Sequence, residues 1–111
     1  MEVKSRIFFA DKSIENSFRE LEKSKTEDNE LHRHLSNALG NLKRNVYSGI
    51  QIPKRLIPKI YIREYNVENL WKYDLPRGWR LIYTVSNEGV VVLSVILEWM
   101  DHKEYDRRFN Y

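Results

Sequence analysis

The 111-residue chain contains no cysteine, only three prolines and four glycines. Without cysteine, disulfides, thiol nucleophiles and cysteine-ligated zinc or iron–sulfur sites are excluded, so any chemistry must use oxygen and nitrogen groups. No apolar run approaches the length needed to span a membrane, and charges interrupt the N-terminal apolar run where a signal peptide would be continuous. We therefore expect a cytoplasmic protein without membrane association. The length suits one domain, residues 1–111, that buries its own core.

Positive charge is concentrated in the middle of the chain, although the formal net charge is only +3. Residues 51–80 contain seven basic and three acidic side chains, a net of +4. Aromatic residues are interleaved with these charges, at Tyr61, Tyr65, Trp71, Tyr73 and Trp79. This mixture is typical of sites that stack on single-stranded nucleic acid. A sheet core with a solvated rim has the same composition, so composition alone favours neither interpretation.

The N-terminal half predicts one strand followed by two amphipathic helices. Residues 2–9 alternate weakly and end in two phenylalanines, as a strand would. Apolar residues then recur at helical spacing over 14–21, and Asp11 or Ser13 can cap that helix. A polar stretch, residues 22–29, separates it from a second helix. The second apolar face covers 31–42, with acidic residues at its start and basic residues at its end, as the helix dipole favours.

The C-terminal half predicts a three-stranded meander and a short helix. Residues 45–58 contain two prolines and a glycine and should form a loop, and residues 59–65 a short strand or more loop. The remaining strands and turns follow in order: strands over 70–75, 79–85 and 90–97, joined by turns at 76–78 and 86–89. The last strand is apolar on both faces except at Ser94, which is typical of a doubly covered central strand. The charged residues 100–109 should form a terminal helix.

This element order, βααβββα, predicts an α+β fold. We expect an antiparallel-dominated four-stranded sheet with a two-helix hairpin on one face and a short C-terminal helix. Trp71 and Trp79 share a face with the alternating apolar residues and are assigned to the core. The other face is left for Arg80 and its neighbours. The expected core contains Ile14, Phe18, Leu35, Leu39, Leu42, Tyr83, Val92 and Ile96.

Cationic side chains lie on two of the predicted strands, and a histidine and a tyrosine directly follow the last strand. These residues are Lys72, Arg80, His102 and Tyr105. Cations grouped with a histidine and a tyrosine on a rigid sheet are what phosphodiester chemistry without a metal would need. A solvated sheet face looks similar, so the pattern permits both interpretations.

The same region resembles the RelE/ParE toxin superfamily, whose members share the predicted element order. The family typically has an aromatic–lysine strand, a Gly-aromatic-Arg-Leu-(Ile/Val)-Tyr strand, a valine-rich strand, and a His or Arg before a terminal Tyr. The corresponding segments here are Trp71-Lys72, Gly78-Trp79-Arg80-Leu81-Ile82-Tyr83, Val90-Val91-Val92-Leu93, and His102 with Tyr105. The resemblance covers the whole architecture, and its motifs cover about residues 70–105.

The resemblance implies the toxin of a type II toxin–antitoxin system, held inactive by a cognate antitoxin protein. Its RelE branch cuts messenger RNA, usually on the ribosome, by 2′-OH attack on the adjacent phosphate, with no metal or other cofactor. By the resemblance, Arg80 stabilises the phosphorane and Lys72 binds the phosphate. Tyr105 orients the 2′-OH or stacks on a base. His102 could transfer the proton, because imidazole titrates near neutral pH.

Asp74 departs from the family pattern. It lies two residues after Lys72, on the same face, where the ribonuclease branch often has a second basic residue. An anion there should repel the scissile phosphate unless it acts as the general base, and a plain cross-strand ion pair with Arg80 is a further interpretation. Glu98 is another candidate base. The alternative function is a ParE-like or degenerate member that inhibits a protein target such as a topoisomerase, or that binds RNA without cutting it.

Basic residues outside the candidate catalytic set are expected RNA contacts or plain surface: Lys54, Arg55, Lys59 and Arg77. His32 and His34 are two residues apart on a predicted helix and therefore point to different faces, so we expect no metal site there.

Overall fold

The computed structural model describes residues 2–24 and 27–110, and within that part five strands form one sheet. The strands are β1 (Arg6–Phe9), β2 (Ile50–Gln51), β3 (Trp71–Asp74), β4 (Arg80–Glu88) and β5 (Val91–Met100). The α-helices are α1 (Lys12–Lys23), α2 (Glu27–Arg44), α3 (Lys59–Tyr65) and α4 (His102–Arg108). The strand order is β1-β5-β4-β3-β2, parallel only between β1 and β5. The predicted α+β class and antiparallel-dominated sheet are confirmed, with five strands rather than four.

The helices α1 and α2 form the predicted hairpin on one face of the sheet. Asp11 caps α1, its carboxylate accepting a hydrogen bond from the backbone N–H of Ile14 at 2.9 Å. The first turn of α2 is acidic and its last turn is basic, which complements the helix dipole. The predicted separator, residues 22–29, is shorter in the structure because both helices extend into it, and its residues 25 and 26 lie outside the described chain.

The core under this hairpin, here called the hairpin-side core, consists of Leu31, Leu35, Ala38, Leu42, Leu75, Leu81, Tyr83 and Ile96. Four of the predicted core residues are fully buried: Leu35, Leu42, Tyr83 and Ile96. The others are partly buried. Of these, Ile14, Phe18, Leu39, Trp71 and Trp79 pack against the hairpin-side core, whereas Val92 belongs to neither core of the described chain.

The opposite face is also covered by helices, which corrects the expectation that it is left open for Arg80. Tyr61 of α3, together with Tyr105 and Phe109 at α4, packs on Ile82 and Leu97 of the sheet. We call this cluster the α3/α4-side core. Charged side chains remain in the sheet at the end of this face where β3 ends and β4 begins.

Residues 59–65 form helix α3, so the prediction of a strand or loop there is wrong. A seven-residue segment is too short for its periodicity to distinguish the two. Burial of Tyr61 against the sheet gives the helix its tertiary support. Asn66 ends the helix in the left-handed conformation, at φ 52° and ψ 43°, and its N–H donates to the carbonyl of Ile62.

The strand boundaries also differ from the prediction. The segment predicted as a loop, residues 45–58, contains β2, which pairs with Lys72 and Trp71 of β3. The first strand begins at Arg6 rather than at residue 2, and β4 continues to Glu88 through most of the predicted turn. Gly89, at φ +61°, makes that turn instead.

A β-bulge interrupts the pairing of β4 with β5. Ile82 pairs with Glu98 and Tyr83 with Ile96, which leaves Leu97 without a partner. Leu97 packs in the α3/α4-side core, and Glu98 contacts Arg108 of α4. The bulge therefore directs two consecutive β5 side chains towards the helices on that side.

Candidate functional site

The predicted catalytic residues gather at one end of the sheet, on the side of α3 and α4. Asp74 ends β3, Arg80 begins β4, and the two residues are paired across the strands. Lys72 lies two residues before Asp74 in β3 and therefore projects from the same face. Because α4 begins two residues after β5 ends, it brings His102 and Tyr105 to this end as well.

The ring of Tyr105 lies close to both cations. Lys72 Nζ and Arg80 Cζ are each 5.4 Å from its centroid, a distance at which cation–π attraction favours both positions. Tyr105 is buried and stacks on Phe109, with ring centroids 4.4 Å apart. The ring is thus a fixed support for the two cationic groups, and its proposed contact with a 2′-OH or a base stays a prediction.

Asp74 bridges the two cations. Its Oδ1 is 3.1 Å from Lys72 Nζ and 3.0 Å from Arg80 Nε, and its Oδ2 is 3.4 Å from Lys72 Nζ. The Arg80 contact is an ion pair in which the Nε–H is not aligned for a hydrogen bond. The cross-strand ion pair that the sequence allowed is therefore present. The carboxylate offsets one of the two positive charges.

Exposure differs sharply among these three side chains. Lys72 and Arg80 are 20% and 22% exposed, whereas Asp74 is 48% exposed. Arg80 is further held by a hydrogen bond from its Nη1 to the carbonyl of Trp79 at 3.3 Å. A ligand that approaches from solvent meets Asp74 first and the cations behind it.

His102 is exposed and lies beside the turn that leads into Arg80. A Cβ added to Gly78 would stand 3.1 Å from its Nδ1, so the imidazole packs directly against this glycine. Gly78 and Arg77 both have positive φ, +81° and +62°, which makes the turn tight. This turn places His102 near the strand that carries Arg80.

Glu98, the second candidate base, is engaged elsewhere. Arg108 Nη1 is 2.5 Å from its Oε2, and the Nη2 of the same guanidinium donates to Glu104 at 2.9 Å. The Tyr61 hydroxyl lies beside this pair, buried and without a hydrogen bond of good geometry. Burial, followed by the nearby Glu98 carboxylate, raises the pKa of Tyr61 well above its usual range.

The pair of Glu98 and Arg108 therefore anchors α4, the helix that carries His102 and Tyr105. The sequence did not indicate that Arg108 is the partner of Glu98, or that Tyr61 is buried beside this pair. The bulge at Leu97 decides where Glu98 points, and no local sequence signal marks that bulge. The excess of charge in residues 102–108 predicted a charged helix but not its contact with the sheet.

The predicted RNA-binding residues lie at the surface in two groups. Lys54 and Arg55 form part of a short 3-10 turn, and Lys59 begins α3, so all three belong to the segment that covers the α3/α4 side. Arg77 is 71% exposed and its Nε lies 3.5 Å from Glu30 of α2. Arg77 therefore faces acidic side chains of the helical hairpin.

The histidines of α2 have separate partners. The ring of His32 packs at a tilt against Phe18, with centroids 4.6 Å apart, while the Nε2 of His34 lies 3.4 Å from Glu30. Across residues 2–24 and 27–110, no group of three or more His, Cys, Asp or Glu side chains is arranged to hold a metal ion. Within the same ranges, none of the helices combines the length and the apolar character that crossing a bilayer requires.

Comparisons with protein-family models, with curated proteins and with solved structures each found no match. The RelE/ParE resemblance therefore stays a prediction based on the motifs over residues 70–105.

Proposed function

We propose that this chain is a RelE-like toxin, a cytoplasmic endoribonuclease that cleaves messenger RNA on the ribosome without a metal or other cofactor. A cognate antitoxin protein would hold it inactive. The observation that carries the proposal is the convergence of Lys72, Arg80, His102 and Tyr105 at one end of a rigid sheet. These residues come from three separate elements, and the family motifs place the same residue types there.

In the proposed reaction, the 2′-oxygen of a ribose attacks the adjacent phosphorus and the bond from phosphorus to the 5′-oxygen breaks. The products are a 2′,3′-cyclic phosphate and a free 5′-hydroxyl. A base must accept the 2′ proton, and an acid must protonate the leaving oxygen. The phosphorane gains negative charge on its non-bridging oxygens, where Lys72 and Arg80 would bind them.

Two groups are available for the proton transfers. The carboxylate of Asp74 touches both cations, so a 2′-OH beside a bound phosphate would lie within its reach. The exposed imidazole of His102 would then protonate the 5′-oxygen. If Asp74 has no such role, His102 would serve as the base and a solvent molecule as the acid.

The ion pairs of Asp74 support a second candidate function. Because this carboxylate offsets one of the two charges that would face a phosphate, the chain could be a non-catalytic member of the family. Such a member would bind a protein target in the manner of ParE toxins, or hold RNA without cutting it.

The first test is cleavage of messenger RNA by purified protein, with free messenger RNA in EDTA and with translating ribosomes in their magnesium buffer. Arg80→Ala should slow cleavage about 100- to 1000-fold, or about 2.7 to 4 kcal/mol, because it removes a cation that stabilises the transition state. His102→Gln should slow it about 100- to 10,000-fold if the imidazole transfers a proton. Arg33→Ala, an exposed arginine on α2, removes the same charge far from the candidate site and should leave the rate unchanged.

Asp74→Lys separates the two roles of the carboxylate. Cleavage should be abolished if Asp74 is the base, and should increase if Asp74 only repels the phosphate. The products should end in a 2′,3′-cyclic phosphate or the derived 3′-phosphate. Intact messenger RNA under both conditions would reject the enzymatic proposal and leave the second candidate function.

A further inference from the structure

The carboxylate of Asp74 contacts Lys72 and Arg80 in the way that a bound anion would. Two positively charged groups, each about four-fifths buried, converge on a carboxylate that is 48% exposed. The partners of a bound phosphate would have the same disposition, with the cations behind and solvent in front.

We propose that, in the free protein, Asp74 occupies the position beside Lys72 and Arg80 that a single phosphate group would take. The ligand binds by displacing Asp74. The identification of the ligand as an RNA phosphodiester rests on the proposed function, whereas the site itself rests on the geometry.

The cations are held in place independently of Asp74. Both lie 5.4 Å from the ring of Tyr105, which is buried and stacked on Phe109. The helix that carries this ring is anchored to the sheet by Arg108 and Glu98. Removal of the carboxylate should therefore leave two positioned cations rather than a collapsed site.

Asp74, in contrast, is free to leave by a side-chain rotation. It is the last residue of β3, its side chain reaches solvent, and its carboxylate contacts are with the two cations. No strand pairing depends on those contacts, because pairing uses the backbone.

Other acidic groups near this end of the sheet have different partners. The carboxylate of Asp101 accepts the backbone N–H of Glu104 at 2.9 Å and so caps α4. Glu104 binds Arg107 and Arg108, and Glu98 binds Arg108. Asp74 is the carboxylate that competes with a ligand at this site.

Competition of this kind lowers the apparent affinity for the ligand. A ligand binds only the fraction of molecules in which Asp74 has vacated the cations, so its apparent dissociation constant rises by the reciprocal of that fraction. Removal of the charge should restore the full affinity and also remove a direct repulsion.

The experiment measures binding without cleavage. Wild-type protein is titrated by calorimetry with a short all-deoxy oligonucleotide, which lacks the 2′-OH nucleophile, and separately with inorganic phosphate. Asp74→Asn keeps the size of the side chain and removes its charge, and should tighten binding about tenfold. Adding Arg80→Gln to this variant should cancel the gain. Thermal melting of each variant shows that it is folded.

Asp106→Asn is the matched control, because Asp106 is an exposed carboxylate on α4. It changes the net charge equally and should alter the affinity by less than about twofold. A gain for inorganic phosphate but not for the oligonucleotide would support the site with free phosphate as its ligand. Equal affinities of wild type and Asp74→Asn, or an equal gain in Asp106→Asn, would overturn the inference.

Failure of this inference and failure of the proposed function give different results. RNA cleavage by the wild type without a binding gain in Asp74→Asn overturns the inference and leaves the function standing. A binding gain without RNA cleavage supports the inference and rejects the enzymatic function.

Discussion

Both faces of the sheet are covered by helices, yet the hydroxyls of two buried tyrosines, Tyr83 on one face and Tyr61 on the other, differ in their hydrogen bonding. On the hairpin side, the Tyr83 hydroxyl donates to the carbonyl of Val46 at 2.9 Å and accepts from the N–H of Gly49 at 3.1 Å. On the α3/α4 side, the Tyr61 hydroxyl makes no hydrogen bond of good geometry and lies beside a charged pair. The buried hydroxyl of the hairpin side is therefore hydrogen-bonded within the protein, whereas the α3/α4 side has ion pairs at its edge.

This difference separates stabilising residues from those available for a ligand. The hairpin-side core consists of apolar side chains and of Tyr83, whose hydroxyl is hydrogen-bonded inside the protein. This core therefore contributes mainly to folding. On the α3/α4 side, the pair of Glu98 and Arg108 is largely buried, whereas the Asp74 carboxylate at the end of the sheet is half-exposed. Function is expected where the charge is both positioned and accessible.

The largest of the predicted effects on stability appears at high pH, where the buried tyrosines of both faces contribute. Burial raises the pKa of Tyr83 to about 12, compared with about 10 in an unfolded chain. The unfolded state therefore loses the hydroxyl proton of Tyr83 first. Below pH 10 this hydroxyl should not change the free energy of unfolding, which should then fall as the pH rises towards 12. Two pKa units correspond to about 3 kcal/mol.

Urea unfolding between pH 8 and pH 12 measures this loss. Tyr83→Phe should flatten the decline, while the raised pKa of Tyr61 should leave part of it in place. Identical slopes in wild type and Tyr83→Phe would show that Tyr83 ionises as easily in the folded protein as in the unfolded chain.

Removal of one hydroxyl at a time compares the two faces directly. Tyr83→Phe leaves the carbonyl of Val46 and the N–H of Gly49 without this partner and should cost about 1 to 3 kcal/mol of stability. Tyr61→Phe loses no well-formed hydrogen bond and keeps the ring, so it should change stability by less than about 0.5 kcal/mol. Chemical denaturation at pH 7 checks both, and equal costs would contradict the comparison.

On the α3/α4 side, loss of the carboxylate charge should reduce stability more at Glu98 than at Asp74, by a smaller difference than that between the two tyrosines. Glu98→Gln weakens a contact whose partners are 28% and 24% exposed, and should cost about 1 to 2 kcal/mol. Asp74→Asn affects a more exposed bridge and should cost less than about 1 kcal/mol. Thermal melting of the two variants is the measurement. A larger loss in Asp74→Asn would mean that Asp74 is structural rather than a displaceable group.

The sequence predicted those parts of the fold that long periodic segments or local capping determine. The apolar spacing of α2, the cap at Asp11 and the alternation within β3 and β4 were sufficient for the helical hairpin and the meander. Alternation on either side of a tight turn also placed Lys72, Asp74 and Arg80 together, because residues of an antiparallel hairpin share a face with their partners.

The rest depended on contacts that no local pattern encodes. Strand β2 has two residues and α3 has seven, so neither offers enough periodicity to identify it. The bulge at Leu97 shifts Glu98 towards α4 within a strand that otherwise alternates normally. Its partner Arg108 lies ten residues away in a helix whose docking is a tertiary event. The anchoring of the candidate site was therefore beyond prediction.

The smallest predicted effect concerns the exposed cations on either side of the sheet end. Lys54, Arg55 and Lys59 lie in the segment that covers the α3/α4 side, whereas Arg77 lies 3.5 Å from Glu30 of the helical hairpin. If RNA approaches the α3/α4 side, loss of one phosphate contact should make the negative slope of log affinity against log salt shallower by about 0.7.

We therefore expect Lys54→Ala and Arg55→Ala each to weaken oligonucleotide binding by a few-fold, with the greatest effect at low salt. Arg77→Ala should have less effect, because acidic side chains around it already offset its charge. Titrations between 50 and 300 mM salt distinguish these variants. A stronger effect from Arg77 would place the nucleic acid on the hairpin side of the turn, and salt-independent binding would point instead to a hydrophobic partner. Either result would contradict the prediction that the α3/α4 side binds nucleic acid through these cations.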